Sequence, residues 1–93
     1  MGDSRKVVRH CVIVNKLGLH ARPASLLAKT AGGFQSEITI AKDGHVSDAK
    51  SIIGLLMLAA GQGTSLSITA RGGDAAEALD ALEKLIQTKF NEE

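Results

Sequence analysis

The stretch Gly18-Leu19-His20-Ala21-Arg22-Pro23-Ala24, GLHARPA, marks the start of the first predicted helix. Gly18 permits a sharp turn in the backbone. Pro23, the single proline of the chain, suits the first turn of a helix because its missing N–H needs no partner there. His20 takes the N-cap position, which Ser, Thr, Asp and Asn usually occupy. The N–H groups of the first turn point outward at the positive end of the helix dipole, so the stretch predicts an anion site suited to a phosphoryl group.

Apolar residues at helical spacing predict three helices, and runs that are β-branched or alternate between apolar and polar residues predict four strands. The spacing of Ala24, Leu27 and Ala31 is helical, and Gly32-Gly33 ends this helix because glycine accepts the conformation of a C-terminal cap. The predicted helices cover residues 21–31, residues 51–60 and a segment that opens at Asp74. The predicted strands cover residues 5–14, 34–40, 45–48 and the alternating residues 66–70.

Local patterns refine these elements. Asp43-Gly44 favours a tight hairpin between the second and third strands. Asp74 followed by Glu77 is a capping-box pattern at the start of the last helix, and Asp80 and Lys84 have the i, i+4 spacing of an ion pair. The two faces of the first strand are almost equally apolar, so the pattern leaves its inward face open.

The element order β-α-β-β-α-β-α indicates one small domain, which we expect to span residues 1–93. Four short strands are covered most economically when the helices pack on a single face of their sheet. We therefore predict an α+β fold: an open-faced β-sandwich with a four-stranded antiparallel sheet and three helices on one face.

The composition argues against several functional classes. A net charge of +1 and the absence of Trp and Tyr argue against nucleic-acid binding, which usually needs a basic face or stacking aromatics. Cys11 is the single cysteine, so neither an internal disulfide nor a cysteine-based zinc site can form. We expect this cysteine in the core. No segment resembles a signal peptide or a membrane span, so we expect a cytoplasmic protein with no membrane partner.

A histidine beside an anion site has a specific chemical use, because neutral imidazole is a nucleophile. A phosphoryl group on the His20 ring would have its oxygens near the first-turn amides. Arg22 can offer a planar, permanently charged fork to the same oxygens. The residues alone leave a second interpretation open, in which His20 is an ordinary surface residue and Arg22 a solvated side chain.

The segment NKLGLHARPA, residues 15–24, resembles the phosphorylation-site segment of the HPr family, the histidine phosphocarriers of the bacterial phosphoenolpyruvate:sugar phosphotransferase system. AKSIIGLLML, residues 49–58, resembles the second signature of that family, and the likeness extends from about Val7 to Phe90. Many sugar-transport members have a small polar residue where this chain has Leu17. NKLG and LLML are closer to the nitrogen-related branch of the family.

The resemblance implies a phosphocarrier rather than an enzyme that turns over a small molecule. His20 aligns with the histidine that is phosphorylated on Nδ1, and Arg22 aligns with the arginine that contacts the phosphoryl group. Enzyme I would be the donor and an enzyme IIA-type domain the acceptor. The sequence has no Walker-type loop, carboxylate pair or metal-ligand cluster, so we expect neither a cofactor nor a metal.

The second predicted helix is apolar nearly all round, whereas a small open-faced sandwich covers only one side of a helix. We expect one apolar stripe to face the core and the other to form a partner surface, unless neighbouring loops bury both. The two stripes are Leu55, Leu58 and Ala59, and Ile53, Leu56, Met57 and Ala60.

Ser51 precedes this helix, where serine is a favoured N-cap. The resemblance implies a second role, as a regulatory serine that HPr kinase/phosphorylase modifies in some bacteria. A phosphate there adds about −1.5 to −2 charge beside the apolar helix, and it would harm docking more than helix stability. An alternative function, in place of sugar transport, is therefore a nitrogen-branch or transcription-regulating binding module that acts through Ser51 and the second helix on a transcriptional regulator. A third hypothesis, a small-molecule sensor, requires an apolar pocket.

The expected partner surface combines the GLHARPA stretch, the second helix and two lysines that either steer an acidic partner or are simply solvated. Its residues are Leu19, Ala21, Lys29, Lys50, Ile52, Ile53 and Leu56. His10 and His45 are expected to be structural or solvated. We expect the carrier to be a monomer.

Overall fold

The computed structural model describes residues 5–91, so residues 1–4 and 92–93 of the expected domain lie outside the described part of the chain. The elements follow the predicted order. They are β1 (Lys6–Val12), α1 (Ala21–Gly32), β2 (Glu37–Lys42), β3 (His45–Asp48), α2 (Ile52–Met57), β4 (Ser65–Arg71), α3 (Ala75–Gln87) and a 3-10 turn at Lys89–Asn91.

The four strands form one antiparallel sheet in the order β1-β4-β2-β3, with the three helices on one of its faces. β4 pairs with β1 on one side and β2 on the other, so Ile68 lies opposite both Arg9 and Ile40. Side chains alternate between the faces of a strand, and Ile68 and Ile40 are fully buried on the helix side. This arrangement confirms the predicted open-faced α+β sandwich.

The inward face of β1, which the sequence left open, carries Arg9 and Cys11. Arg9 reaches α3, where its Nη1 lies 2.7 Å from Asp80 Oδ1 and 3.0 Å from Glu83 Oε1. Cys11 is buried in the core, as predicted. Burial raises the pKa of its thiol, and the nearby Glu83 carboxylate raises it further, so the thiol stays protonated at neutral pH.

The predicted start of β2 and the predicted end of α2 are wrong, and the predicted range of β1 is slightly too long. β2 begins at Glu37 rather than at residue 34, because the N–H groups of Gln35 and Ser36 donate to Asp74 instead of to a neighbouring strand. α2 ends at Met57 rather than at residue 60, because Ala59 adopts a left-handed conformation with φ of 50°. β1 covers residues 6–12 rather than 5–14.

Lys42 stabilises the early end of α2. Its Nζ donates to the carbonyl oxygens of Leu58 and Ala59, at 3.0 and 3.2 Å. A cation at a helix C-terminus satisfies carbonyls that have no partner within the helix and interacts favourably with the helix dipole. The long-range contact from β2 therefore helps to fix where α2 stops.

The capping-box prediction at α3 is wrong. Asp74 occupies the N-cap, but its carboxylate makes no cap bond within α3. It accepts hydrogen bonds from the N–H of Gln35 at 2.8 Å, from the N–H of Ser36 at 2.9 Å and from the Ser36 hydroxyl. The predicted pair of Asp80 with Lys84 is replaced by the pair with Arg9. Asp74 thus ties the start of α3 to the segment before β2.

The predicted tight hairpin between β2 and β3 is confirmed. Asp43 and Gly44 have positive φ angles, 49° and 84°, which are the values of a type I′ turn. β3 then covers His45–Asp48, as expected.

Candidate functional site

The turn that leads into α1 is held by backbone hydrogen bonds on both sides. The Gly18 N–H donates to Asn15 O at 3.2 Å, and the Leu19 N–H donates to Ala60 O at 2.8 Å. Gly18 has φ of 69°, and a Cβ at this position would lie 2.5 Å from Ala60 O. Only glycine fits this close approach, so the segment after α2 fixes the turn before α1.

His20 is the N-cap of α1, as predicted. Its backbone is extended, with φ of −84° and ψ of −171°, and its carbonyl accepts the first helical hydrogen bond from Ala24 N–H at 3.0 Å. Its side chain makes no capping hydrogen bond, and its ring is partly exposed. The imidazole therefore lies beside the helix end without acting as its cap.

The amides that follow His20 lie at the helix start, where the sequence predicts an anion site. Ala21 and Arg22 hold the first two helical positions, where N–H groups lack an acceptor within the helix. Pro23, which is buried, comes next and has no N–H. The first turn of α1 carries no acidic side chain to compete with an external anion. Arg22 is exposed and lies two residues beyond His20.

A shallow depression connects His20 to the end of α2. Its volume is ≈ 320 Å³, and it lies open to solvent. Its lining residues are Leu17, Leu19, His20, Leu56, Ala59, Ala60 and Gly61. This open shape is typical of a docking surface rather than of the enclosed pocket that a small-molecule sensor needs. The fold thus brings together the two segments that the sequence singled out separately.

The two faces of α2 differ in the expected way. Leu55 and Leu58 are buried in the core, whereas Ile53 and Met57 are 67% and 79% exposed. Two stripe assignments are wrong: Ala59 is exposed and Ala60 is buried. The left-handed turn at Ala59 reverses their directions relative to a continuous helix.

The residues expected at the partner surface differ in exposure. Ala21, Lys29, Ile52 and Ile53 are exposed, and Leu56 is partly buried against the core. Leu19 requires a correction, because its side chain is 4% exposed and belongs to the core. A buried leucine offers almost no surface to a partner.

Lys50 is exposed, but its Nζ donates to Phe34 O at 2.9 Å. This lysine therefore links the segment before α2 to the segment after α1. A surface lysine with one backbone contact still presents its charge to solvent. Lys29 lies in the last turn of α1, at the end remote from His20.

Ser51 caps α2, as predicted. Its Oγ accepts a hydrogen bond from Gly54 N–H at 3.0 Å, and the serine is partly exposed. Ser47 Oγ donates to Gly54 O at 2.8 Å, so β3 also contacts this first turn. Ser51 directly precedes Ile52 and Ile53, whose side chains are exposed.

Two residues near the site were given no structural role by the sequence analysis. Asn15 is fully buried at the start of the turn, and its Nδ2 donates to Gly18 O at 2.8 Å. Leu17 is 73% exposed beside His20. An asparagine three residues before a glycine is a turn signal that could have identified Asn15.

His10 and His45 lie in different surroundings. His10 is on the outer face of the sheet, with its Nδ1 3.2 Å from Ser67 Oγ, and His45 is exposed at the start of β3. Among residues 5–91, no group of three His, Cys, Asp or Glu side chains could hold a metal ion. Within the same range, no helix has the length and apolar character needed to cross a membrane.

Comparison with known proteins identifies the family of this chain. Residues 7–88 match the family model described as the PTS HPr component phosphorylation site. Phosphocarrier protein HPr of Cupriavidus necator is 46% identical over 84 residues, which cover 90% of this chain and 94% of that protein. Phosphocarrier protein NPr of Shewanella violacea is also 46% identical, over 87 residues that cover 94% of this chain and 96% of that protein.

Solved structures agree with this assignment. A crystal structure of HPr-C-His from Thermoanaerobacter tengcongensis superposes with a TM-score of 0.86 at 45% sequence identity. The match covers 96% of this chain and 98% of that one. Fold and sequence therefore agree over nearly the whole length, and the chain belongs to the HPr family of phosphocarrier proteins.

Proposed function

We propose that this phosphocarrier accepts a phosphoryl group on His20 from phosphorylated enzyme I and passes it to an enzyme IIA-type domain. The observation that carries the proposal is the position of His20 at the N-cap of α1. Its imidazole makes no cap bond, the first-turn amides lie beside it, and Arg22 follows two residues later. In this proposal the protein acts as a relay that receives a phosphoryl group from one protein and passes it to another.

The transfer needs one bond to form and one to break. The lone pair of an imidazole nitrogen, Nδ1 by the family resemblance, attacks phosphorus, and the other ring nitrogen retains its proton. The bond from phosphorus to the donor breaks, and its electron pair leaves with the donor group. Transfer to the acceptor repeats these events with His20 as the leaving group.

The surroundings of His20 stabilise the charge on the phosphoryl oxygens. The N–H groups of Ala21 and Arg22 lie at the positive end of α1 and can donate to these oxygens. The Arg22 guanidinium adds two parallel donors and a permanent positive charge. The helix fixes the two backbone amides before the donor arrives, so they need little reorganisation during transfer.

The proposed docking surface is the exposed face of α2 together with the depression beside His20. Ile52, Ile53 and Met57 expose apolar surface there, and Ala21 lies at the start of α1. An apolar centre with a polar rim is the usual composition of a protein interface. Lys29 and Lys50 would favour partners with acidic surfaces, mainly by raising the rate of encounter. We infer a monomeric carrier that engages one partner at a time.

A second, regulatory function is supported by Ser51. This serine is partly exposed and directly precedes the exposed residues Ile52 and Ile53. Phosphorylation by an HPr kinase/phosphorylase would place about −1.5 to −2 charge at the edge of the docking surface. The modified protein would then bind acceptors less well and could be recognised by a transcriptional regulator.

Incubation with enzyme I and phosphoenolpyruvate tests the main proposal. We expect one phosphate per chain that is stable in base and lost in acid, and we expect none on His20→Ala. His10→Ala and His45→Ala are matched controls, because each removes one imidazole at a distance from α1. Phosphate on His20→Ala at the wild-type level would refute the assignment.

A further inference from the structure

Asn15 is one of two polar side chains that are buried in the described part of the chain, the other being Ser36. It lies between the end of β1 and the turn that carries His20. Both polar groups of Gly18 bond to it: the Gly18 N–H donates to Asn15 O at 3.2 Å, and Asn15 Nδ2 donates to Gly18 O at 2.8 Å. A single residue thus holds Gly18 from its main chain and from its side chain.

The same carbonyl oxygen also holds His20. The His20 N–H donates to Gly18 O at 3.0 Å, so Asn15 Nδ2 and His20 N share one acceptor. On the other side of the turn, Leu19 N–H donates to Ala60 O. Because Ala60 follows α2 and Asn15 follows β1, the backbone of His20 is placed by two separate parts of the fold.

We propose that Asn15 is a positioning residue for phosphoryl transfer at His20, an inference that rests on the proposed function. Asn15 holds the Gly18 carbonyl, and that carbonyl orients the backbone from which the imidazole projects. Loss of the buried amide leaves Gly18 O with one donor fewer and gives the turn more freedom. An in-line attack on phosphorus depends on the placement of the nitrogen to within about 1 Å. Asn15 is buried and does not belong to the docking surface on α2, so its substitution should leave partner binding unchanged.

Two substitutions separate the hydrogen bond from the packing. Asn15→Ala removes the amide group and side-chain volume, whereas Asn15→Leu removes the amide group and adds volume. A fall in kcat that both variants share therefore follows from the lost hydrogen bond and not from a cavity. Ser36→Ala is a matched control, because it also removes a buried polar group that makes a hydrogen bond. Ser36 lies beyond the C-terminal end of α1, whereas His20 lies at the N-terminal end.

The measurement is steady-state phosphorylation by enzyme I and phosphoenolpyruvate, with the carrier as the varied substrate. We expect kcat to fall on the order of tenfold or more in both Asn15 variants, with the KM for the carrier unchanged. Ser36→Ala should keep the wild-type kcat and KM. Hydrogen exchange at the His20 amide should accelerate in both Asn15 variants and not in Ser36→Ala.

The possible results distinguish this inference from the proposed function. If wild type accepts phosphate and Asn15→Leu keeps the wild-type kcat, the positioning role is refuted while the carrier function stands. An equal loss of kcat in Ser36→Ala also refutes it, because any destabilised variant would then behave alike. Failure of wild type to accept phosphate refutes both. If Asn15→Ala does not fold, Asn15→Leu decides the question.

Discussion

At the scale of single residues, His20 separates two tasks that an N-cap side chain usually combines. A typical N-cap residue places its backbone at the helix start, and its side-chain oxygen accepts a hydrogen bond from an N–H of the first turn. Here the backbone of His20 is held by Gly18 O, and the side chain makes no cap bond. The His20 side chain consequently does not cap the N–H groups of Ala21 and Arg22. In the proposed function these amides bind phosphoryl oxygens, so the poor capping ability of histidine is useful at this position.

The role of Arg22 is tested by Arg22→Ala. Because the side chain is exposed, we expect the melting temperature to stay within the range of ordinary surface substitutions. The kcat for phosphoryl transfer should fall on the order of 10²-fold, as is typical when one charged donor to a transition state is removed. Arg71→Ala is the control, because Arg71 is an exposed arginine that lies opposite the start of β1 and outside the proposed docking surface. Equal kinetics in wild type and Arg22→Ala would exclude a role at the phosphoryl group.

At the scale of elements, α2 is a short helix with one buried and one exposed apolar face. Leu55 lies in the core, while Met57 and Ile53 are exposed. Lys42 holds its C-terminal carbonyls and Ser51 caps its first turn, so α2 is fixed at both ends by polar contacts. The apolar outer face can therefore stay exposed without being needed for stability.

Substitutions on the two faces of α2 should affect different properties: the exposed face should affect partner binding, and the buried face should affect stability. Met57→Ser should lower kcat/KM for transfer by raising KM, with little change in the free energy of unfolding, since the side chain is 79% exposed. Leu55→Ala should cost about 2–5 kcal/mol of stability, because it leaves a cavity in the core. Urea denaturation and transfer kinetics on both variants check the prediction. A large stability loss in Met57→Ser would show that the outer face packs against other residues.

Phosphorylation of Ser51 should weaken docking without unfolding α2. A phosphate at a helix N-terminus interacts favourably with the dipole, so the helix should remain intact. The added charge lies beside Ile52 and Ile53, and it should raise the KM for transfer from enzyme I. Ser51→Ala is the control: it removes the hydroxyl that accepts from Gly54 N–H, and it should cost about 0.5–2 kcal/mol of stability while KM stays unchanged. An unchanged KM in the phosphorylated protein would contradict the regulatory proposal.

The elements and the position of His20 at the start of α1 were predictable because both depend on local patterns. The helical spacing before Gly32-Gly33, the Asp43-Gly44 turn and the GLHARPA stretch each specify nearby backbone geometry. The wrong predictions involve partners distant in sequence. Asp74 binds Gln35 and Ser36 rather than its own helix, and this contact delays the start of β2.

Long-range contacts also explain what was missed at the site. The end of α2 depends on Lys42 and on a left-handed residue, Ala59, which no hydrophobic period indicates. The burial of Leu19 and the contact of Gly18 with Ala60 both require the segment after α2 to lie against the turn. Periodicity within one segment does not contain that information.

At the scale of the whole molecule, Asp74 joins the start of α3 to the segment between α1 and β2. The hydrogen bond from the Ser36 hydroxyl and the one from the Gln35 N–H hold the pKa of Asp74 below its ordinary value of 3.8. A carboxyl with a lowered pKa in the folded state stabilises the fold above its ordinary pKa. That contribution is lost as the pH falls through the lowered value.

Asp74→Asn should therefore destabilise the protein at neutral pH, and the difference from wild type should shrink below about pH 4. Urea denaturation at a series of pH values measures this difference. Glu77→Gln is the control, because Glu77 is an exposed carboxylate in the first turn of the same helix. A difference between wild type and Asp74→Asn that stays constant down to pH 2 would contradict the role of the ionised carboxylate.

Phosphorylation of His20 is tested most directly by long-range ¹H–¹⁵N NMR of the histidine rings before and after incubation with enzyme I and phosphoenolpyruvate. We predict that Nδ1 of His20 carries the phosphoryl group, and that the amide signals of Ala21 and Arg22 shift as they donate to its oxygens. The rings of His10 and His45 should not change. Phosphate on either of those rings, or on His20 with unchanged first-turn amides, would contradict the proposed site.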